Sequence, residues 1–249
     1  MDLSGMVAIV TGSSRGIGAA TAKALSREKA SVVVNYLTGV DMAEEVVKEI
    51  KGKGGNAISF QADVTDRKDA ERLVRAAIKE FGQVDILVNN AFRPMPSKSF
   101  LDLTWEECQD QIDRSLKAAF NCVQAVVPKM MERGSGKIIN IVGVLVDKPV
   151  AGALAYTAAK SALIGFTRTI ALELGPHGIC VNMVSPGMTL TEGTMRMEES
   201  LRNAVALGTP MRRLATPDDI AGTVLFLASD LASFITGSYF PVSGGYVMS

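Results

Sequence analysis

The stretch VTGSSRGIGAATAKAL, residues 10–25, joins a short β-branched run to an amphipathic helical pattern. Its glycines Gly12, Gly16 and Gly18 follow the spacing GxxxGxG. Such a turn lets the chain reverse sharply, brings the backbone close to a pyrophosphate, and points helix N–H groups at the anion. Because the turn lies between a strand and a helix, it favours a dinucleotide site over glycines that serve only helix–strand packing.

Seven short apolar runs alternate with helical patterns along the chain. Each run is too short and too uniformly apolar for a strand with one wet face, which indicates a parallel sheet buried on both faces. The runs lie at 6–12, 31–36, 56–63, 84–90, 137–143, 178–187 and 238–245, and the helical patterns at 16–29, 40–53, 67–81, 103–133, 153–175 and 217–228. This order predicts an α/β fold: a single-domain Rossmann, doubly wound seven-stranded parallel sheet with helices on both faces.

The segment 188–212 interrupts this alternation. It is polar, contains Met188, Met195, Met197 and Met211, and follows the sixth run. We predict a helical substrate flap, with an ordinary surface insertion as the alternative. No linker or repeat divides the sequence, so residues 1–249 are predicted to form one dinucleotide-binding and catalytic domain.

Charge and cysteine content argue against several classes of partner. Lys and Arg number 26, as do Asp and Glu, so there is no cationic excess for nucleic acid or an anionic membrane. The three cysteines form no CxxC or Cys/His pattern, so neither a disulfide framework nor a metal site is expected. No apolar run approaches the ~18 residues of a membrane span, and the start lacks an export signal, so we expect a cytoplasmic protein.

Residues near the glycine turn favour NADP(H) as the cofactor. An NAD site usually has a carboxylate at the end of the second strand, but this strand ends in Asn35 and Tyr36. Arg15, inside the turn, can face a 2′-phosphate instead. Asp63 ends the third run, where it could accept a hydrogen bond from the adenine amino group or cap the helix that starts near Asp66.

Further motifs resemble the short-chain dehydrogenase/reductase family, and bacterial 3-oxoacyl-carrier-protein reductases within it. Besides the glycine turn, ADV at 62–64, NNA at 89–91, YTAAK at 156–160, SPG at 185–187 and ITGSYFPVSGG at 235–245 stand in the family's order. The resemblance covers essentially the whole chain. It implies cofactor contacts from Gly12, Ser14, Arg15, Gly16, Ile17, Gly18, Asn35, Tyr36, Asp63, Val64, Asn90, Ala91, Tyr156, Lys160, Pro186, Gly187, Thr189 and Thr191.

The resemblance also implies the chemistry. In this family the tyrosine of YxxxK is the general acid/base, here Tyr156, for the interconversion of a carbonyl and an alcohol. Lys160, four residues on, shares its helix face. Its ammonium is expected to lower the tyrosine pKa from its usual value near ~10 and to hold the nicotinamide ribose.

Three departures from the family pattern cluster at the catalytic centre. The family's serine, thirteen residues before the tyrosine, is Gly143, and its active-site asparagine is Ser115. NNAG reads NNAF, so Phe92 either narrows the pocket or stacks on the adenosine side. Loss of one donor to the substrate oxygen typically costs ~10²–10³ in rate. Two hypotheses follow: an NADP(H)-dependent oxidoreductase that works without the serine, or a catalytically impaired NADP(H)-binding or regulatory subunit.

The expected partners are a small-molecule carbonyl or alcohol and further copies of the chain. An acyl thioester stays open as the substrate, and Arg133 and Lys137 leave open the docking of an acidic carrier protein. The resemblance implies a homo-oligomer, commonly a tetramer, formed through the helix at 103–133 and the helix that carries Tyr156.

Overall fold

The computed structural model describes residues 1–93 and 97–248. One seven-stranded parallel sheet has the order β3-β2-β1-β4-β5-β6-β7. The strands are β1 Val7–Val10, β2 Ser31–Tyr36, β3 Ala57–Gln61, β4 Ile86–Asn89, β5 Gly136–Ile141, β6 Ile179–Pro186 and β7 Tyr239–Val242. The helices are α1 Gly16–Arg27, α2 Val40–Gly52, α3 Arg67–Phe81, α4 Trp105–Ile112, α5 Ala118–Arg133, α6 Leu154–Leu174, α7 Glu192–Met195, α8 Glu199–Gly208 and α9 Pro217–Ala228. The predicted fold class is confirmed.

Helices cover both faces of the sheet, which explains why most strand residues on both faces are apolar. Ala8 and Val10 of β1 pack in a cluster with α1, α2 and α9, whereas Ile9 between them packs with α3, α5 and α6. Alternate side chains of a strand point to opposite faces, so each strand needs apolar residues at every position. The strand order reverses between β1 and β4, and ligands bind beyond the carboxyl ends of the strands at such a point.

The helix predicted over 103–133 is interrupted in the structure. Thr104 caps α4 and forms a capping box with Glu107, so the helix begins at Trp105. One π-helical turn, Asp113–Lys117, then separates α4 from α5. Ser115 lies in this turn. The prediction of one regular helix is wrong here because a π-turn leaves no mark in hydrophobic periodicity, and such turns often occur at functional sites.

The segment 188–212 contains two short helices, α7 and α8. Thr191 caps α7 through its side chain. A Cβ atom added to Gly16 would lie 3.2 Å from the Thr191 Cγ2 atom, so this segment borders the glycine turn. Its role as a substrate flap stays a prediction.

The described part of the chain contains no helix long and apolar enough to cross a membrane. Within residues 1–93 and 97–248, no three His, Cys, Asp or Glu side chains are grouped as metal ligands would be. The thiols of Cys108, Cys122 and Cys180 are free.

Candidate active site

The glycine turn needs glycine for two separate reasons. Gly12 and Gly16 adopt φ values of +60° and +57°, in the left-handed region that side chains disfavour. Gly18 has ordinary helical geometry, but a Cβ atom there would lie 2.5 Å from the Gly12 carbonyl oxygen and from the Asn90 amide nitrogen. The turn is therefore packed against the end of β4 as closely as a backbone allows.

We expect Gly18→Ala to destabilise the protein, because the added methyl group overlaps backbone that cannot move aside. Overpacking of this kind typically costs ~1–3 kcal/mol. Gly222→Ala is the matched control, since no atom lies within 4 Å of a Cβ at that exposed helical position. Thermal unfolding of both variants provides the measurement. Equal melting temperatures for the two would contradict the close packing of the turn.

Thr11 holds the glycine turn to the NNA motif, and the sequence reasoning missed it. Its buried hydroxyl accepts hydrogen bonds from the backbone N–H groups of Asn90 and Ala91, both at 2.9 Å. The Asn90 side chain donates in return to the carbonyls of Thr11 and Gly12, at 2.9 and 3.0 Å. The sequence feature that could have indicated this role is a hydroxyl residue directly after the first strand. Asn90 and Ala91 therefore lie at the turn, as a cofactor role requires.

Asn35 supports the same turn from the other side. It is 2% exposed, and its side-chain oxygen accepts a hydrogen bond from the Gly12 N–H at 3.1 Å. Its amide nitrogen donates to the Ala62 carbonyl at 3.1 Å. Both the oxygen and the nitrogen of the Asn35 amide bond to backbone groups, so Asn35 supports the turn, and its predicted contact with the nucleotide stays a prediction. From the sequence, an asparagine whose buried amide bonds to backbone groups looks the same as one whose amide bonds to a ligand.

The predicted adenosine end lies around Arg15 and Asp63. Arg15 precedes α1 and is exposed. The Ser13 N–H donates to the Asn35 carbonyl at 2.8 Å, so the glycine turn that contains Arg15 lies against the end of β2. Asp63 accepts from the backbone and hydroxyl of Thr65, at 2.9 and 2.7 Å. Asp66 itself caps α3, so the alternative in which Asp63 is that cap is wrong.

The remaining predicted cofactor residues line the same edge of the sheet or the core beneath it. Thr189 is buried and donates to the Gly187 carbonyl at 2.9 Å, which closes the loop after β6. Ser14 and Ile17 are half-buried in the glycine turn, whereas Tyr36 and Val64 are buried and Pro186 ends β6. Tyr36 packs in the core with α1 and α2, so its ring faces inward.

Tyr156 and Lys160 lie on α6 against the end of β5. The Tyr156 hydroxyl donates to the Val142 carbonyl at 3.2 Å, and the Lys160 ammonium donates to the Ile141 carbonyl at 2.8 Å. Burial raises the pKa of Tyr156 to about 12 and lowers the pKa of Lys160 to about 8. We expected the ammonium to lower the tyrosine pKa; in this structure the loss of hydration is the dominant effect and acts in the opposite direction.

Gly143 adopts a backbone conformation that a serine rarely takes. Its φ is +151°, and a Cβ atom built on it would overlap the Tyr156 hydroxyl oxygen and lie 3.2 Å from the ring carbon that carries it. The phenol of Tyr156 therefore fills the space of the missing side chain. The missing serine and the position of Tyr156 are coupled, which only the folded structure could show.

Phe92 covers the Tyr156–Lys160 pair. Its ring meets the Tyr156 ring edge-on with 5.4 Å between centroids, and the Lys160 ammonium lies 5.5 Å from its centroid. Of the two places considered for Phe92, narrowing of the pocket fits this contact. Stacking on the adenosine side does not, because Arg15 and Asp63 lie at the ends of other strands.

Ser115 faces a small cavity beside Lys160. The cavity is lined by Thr11, Asn89, Ala91, Ser115, Ala118, Ala119, Lys160 and Leu163. The Ser115 hydroxyl and the Asn89 side-chain oxygen are both buried without a hydrogen-bond partner. Proteins commonly hold a buried water molecule in a small polar cavity, where it bonds to polar atoms that have no other partner. The structure thus brings Ser115 close to Lys160, although it lies 45 residues before Lys160 in the sequence.

Two cations considered for carrier-protein docking are engaged elsewhere. Arg133 donates to the Val84 carbonyl and lies 3.3 Å from the Asp85 carboxylate. Lys137 is 8% exposed, and its ammonium contacts the Cys180 sulfur at 3.7 Å. Arg133 is exposed despite its ion pair, whereas Lys137 is buried, so of these two cations only Arg133 lies at the surface, and docking of an acidic carrier protein stays a prediction.

The glycine turn, the Tyr156–Lys160 pair and the parallel sheet define an oxidoreductase of the short-chain dehydrogenase/reductase family, to which this chain belongs. The family model described as enoyl-(acyl carrier protein) reductase matches residues 12–247. The chain is 40% identical over 241 residues to the 3-oxoacyl-[acyl-carrier-protein] reductase FabG of Staphylococcus epidermidis, covering 97% of this chain and 98% of that one. It is 42% identical over 248 residues to the 3-oxoacyl-[acyl-carrier-protein] reductase of a Synechocystis species, covering 99% and 98%.

Solved structures agree with this family membership. A 7α-hydroxysteroid dehydrogenase complexed with NADH and 7-oxo glycochenodeoxycholic acid superposes with a TM-score of 0.94 at 34% identity, covering 100% of this chain and 96% of that one. A variant of a Serratia marcescens short-chain dehydrogenase/reductase superposes with a TM-score of 0.92, also at 34% identity, covering 99% of both chains. These neighbours share the whole fold and not only its nucleotide-binding half.

Proposed function

We propose that the protein is an NADPH-dependent reductase of carbonyl compounds, with 3-oxoacyl thioesters as the substrate class. The observation that carries the proposal is the pair of half-buried Tyr156 and buried Lys160 on one helix face, beside the glycine turn and at the carboxyl edge of the sheet. Similarity to 3-oxoacyl-[acyl-carrier-protein] reductases over nearly the full chain supports the substrate class.

The protonation state of Tyr156 favours reduction. Bound NADPH would supply a hydride to the carbonyl carbon. Tyr156 would give its proton to the carbonyl oxygen, so that an alcohol forms and the phenolate remains. A tyrosine hydroxyl is protonated at neutral pH, and burial, which raises the pKa of Tyr156, keeps it so until a charge such as that of Lys160 assists the proton transfer. Lys160, close by on the same helix, would stabilise the phenolate once it forms.

A nicotinamide dinucleotide fits the residues at the glycine turn. Gly12, Gly16 and Gly18 leave the backbone without Cβ atoms where the turn meets α1, and the N–H groups of the first helical turn have no partners in their own helix. The chain also has no carboxylate between residues 35 and 39, where a 2′-hydroxyl would need one. These features support NADP(H), with Arg15 beside the 2′-phosphate.

We expect Arg15→Ala to weaken NADPH binding by ~10–100-fold and NADH binding by much less. A charge-assisted hydrogen bond to phosphate contributes ~1.5–3 kcal/mol, whereas NADH has no phosphate at that position. Arg27→Ala is a suitable control, because Arg27 ends the same helix but pairs with Asp218. Titration of each variant with both nucleotides by fluorescence gives the measurement. An equal loss for both nucleotides would place Arg15 away from the 2′-phosphate.

The intact catalytic pair supports an enzyme more strongly than an impaired subunit. The direct test is NADPH oxidation with acetoacetyl-N-acetylcysteamine, a soluble 3-oxoacyl thioester, alongside simple ketones. Turnover establishes the reductase. Tight NADPH binding without turnover on any of these compounds would instead establish the binding subunit.

Exposed apolar side chains on α4 to α6 support the expected homo-oligomer. Trp105, Phe120 and Leu172 are 67%, 43% and 80% exposed on these three helices. Large apolar groups on neighbouring helices commonly mark an interface between subunits. We therefore propose self-association through this face, and the family resemblance favours a tetramer.

A further inference from the structure

A second tyrosine, Tyr239, lies in a polar cluster on the same face of the sheet as Tyr156. Its hydroxyl contacts the carboxylate of Asp147 and lies 2.7 Å from the hydroxyl oxygen of Ser185. Tyr239 pairs with Met183 across β6 and β7, and Met183 and Ser185 point to one face because they are two residues apart. That face is covered by α6, since Met183 packs against Leu163.

The cluster adjoins the place where the family's serine is missing. The Val142 carbonyl holds the Tyr156 hydroxyl at 3.2 Å, and the Val142 N–H donates to the Val184 carbonyl at 2.8 Å. Ser185 follows Val184 directly, and Asp147 lies in the turn that starts at Gly143. Tyr239 on β7 packs in the same cluster as Val142, and Tyr156 on α6 donates to the Val142 carbonyl, so the two phenols approach the same few residues.

The hydrogen bonds in the cluster have only one consistent direction. A carboxylate can only accept, so Tyr239 donates its single proton to Asp147, and Ser185 donates to the Tyr239 oxygen. Ser185 is fully buried and cannot itself reach a ligand, whereas Tyr239 is partly exposed. Asp147 is exposed to water, so it loses little when Tyr239 turns its proton elsewhere. The Tyr239 hydroxyl oxygen is therefore held in place by Ser185, while its proton can be donated to a ligand instead of to Asp147.

Tyr239 is suited to donate a hydrogen bond and not to act as a base. Burial, followed by the neighbouring Asp147 carboxylate, raises its pKa well above the usual range, and the charge of Tyr156 as phenolate raises it further. The Ser185 hydroxyl acts in the opposite direction and does not outweigh them. Tyr239 therefore keeps its proton throughout the working pH range.

We propose that Tyr239 donates the second hydrogen bond to the substrate's carbonyl oxygen, in the role left vacant by Gly143. This inference rests on the proposed reductase activity. Tyr156 occupies the space of a Gly143 side chain, so a second donor has to come from another residue, and Tyr239 packs in the same cluster as Val142, whose carbonyl accepts from Tyr156. Tyr239 transfers no proton: it stabilises the charge on the oxygen while Tyr156 completes the reduction.

The test is Tyr239→Phe, assayed with NADPH and acetoacetyl-N-acetylcysteamine. The ring is kept, so folding should be retained, and thermal unfolding verifies this. We expect kcat to fall by ~10²–10³, as for loss of one oxyanion donor, with KM and NADPH affinity changed little. The pH profile should keep its shape because Tyr239 does not titrate. Tyr246→Phe is the matched control, since that ring contacts Lys148 and lies outside the cluster.

Asp147→Asn separates the donor role from a proton-transfer role. If Tyr239 is a donor, this change should lower kcat by much less than Tyr239→Phe, because the phenol remains. Equal losses in both variants with a shifted pH profile would overturn the donor role in favour of a proton route through Asp147. Unchanged kcat in Tyr239→Phe would also overturn it while leaving the reductase proposal intact. Absence of turnover in the wild type would remove both proposals.

Discussion

Tyr156→Phe is expected to abolish most of the turnover while the protein still folds and still binds NADPH. A positioned general acid contributes ~10²–10⁴ in rate. Tyr156 is the side chain that donates to the Val142 carbonyl, and no other described side chain takes its place there. The structural cost is one hydrogen bond to that carbonyl, typically ~1 kcal/mol. The measurement combines NADPH oxidation with acetoacetyl-N-acetylcysteamine, NADPH fluorescence titration and thermal unfolding.

Two comparisons make this result decisive. Tyr246→Phe removes the same hydroxyl from a ring outside the site and should leave turnover unchanged. If Tyr156→Phe were to retain wild-type rates, the Tyr156–Lys160 assignment would be wrong even though the family membership stands. Parallel loss of NADPH binding would show that Tyr156 mainly holds the cofactor.

Gly143→Ser is expected to lower both stability and activity, although it restores the serine that the family normally has. A non-glycine residue at φ +151° is strained, which costs ~1–3 kcal/mol, and the new Cβ atom displaces the Tyr156 hydroxyl. The strain corresponds to a fall of about 2–12 °C in melting temperature for a chain of this size. Misplacing a reacting group by about 1 Å can cost ~10² in rate.

Gly143→Ala isolates the contribution of the serine hydroxyl. It adds the same Cβ atom and the same backbone strain but no donor. We expect both variants to unfold at similar temperatures and to react at similarly reduced rates in the NADPH oxidation assay. A serine variant that is faster than the wild type would contradict this, and would show that the backbone at this position relaxes easily and that the donor was the missing element.

The sheet and the glycine turn could be predicted from sequence because their causes are local. Seven uniformly apolar runs require burial on both faces, and residues 10–25 carry the spacing that a strand–turn–helix unit needs. The boundaries of the helices followed within a few residues, except at the π-turn around Ser115. There the backbone departs from regular helix in a way that the side-chain pattern does not record.

The arrangement of the catalytic centre depended on contacts between distant residues. The family resemblance assigned Tyr156, Lys160 and the missing serine from the sequence, because these positions are counted along one segment. It could not show that Phe92 covers the pair, since residues more than 60 positions apart meet only after the sheet forms. Nor could it show that Tyr239, on the last strand, meets Asp147 and Ser185 and packs in the same cluster as Val142. Which groups surround a reacting atom is decided by strand order and face, and only the tertiary structure determines both.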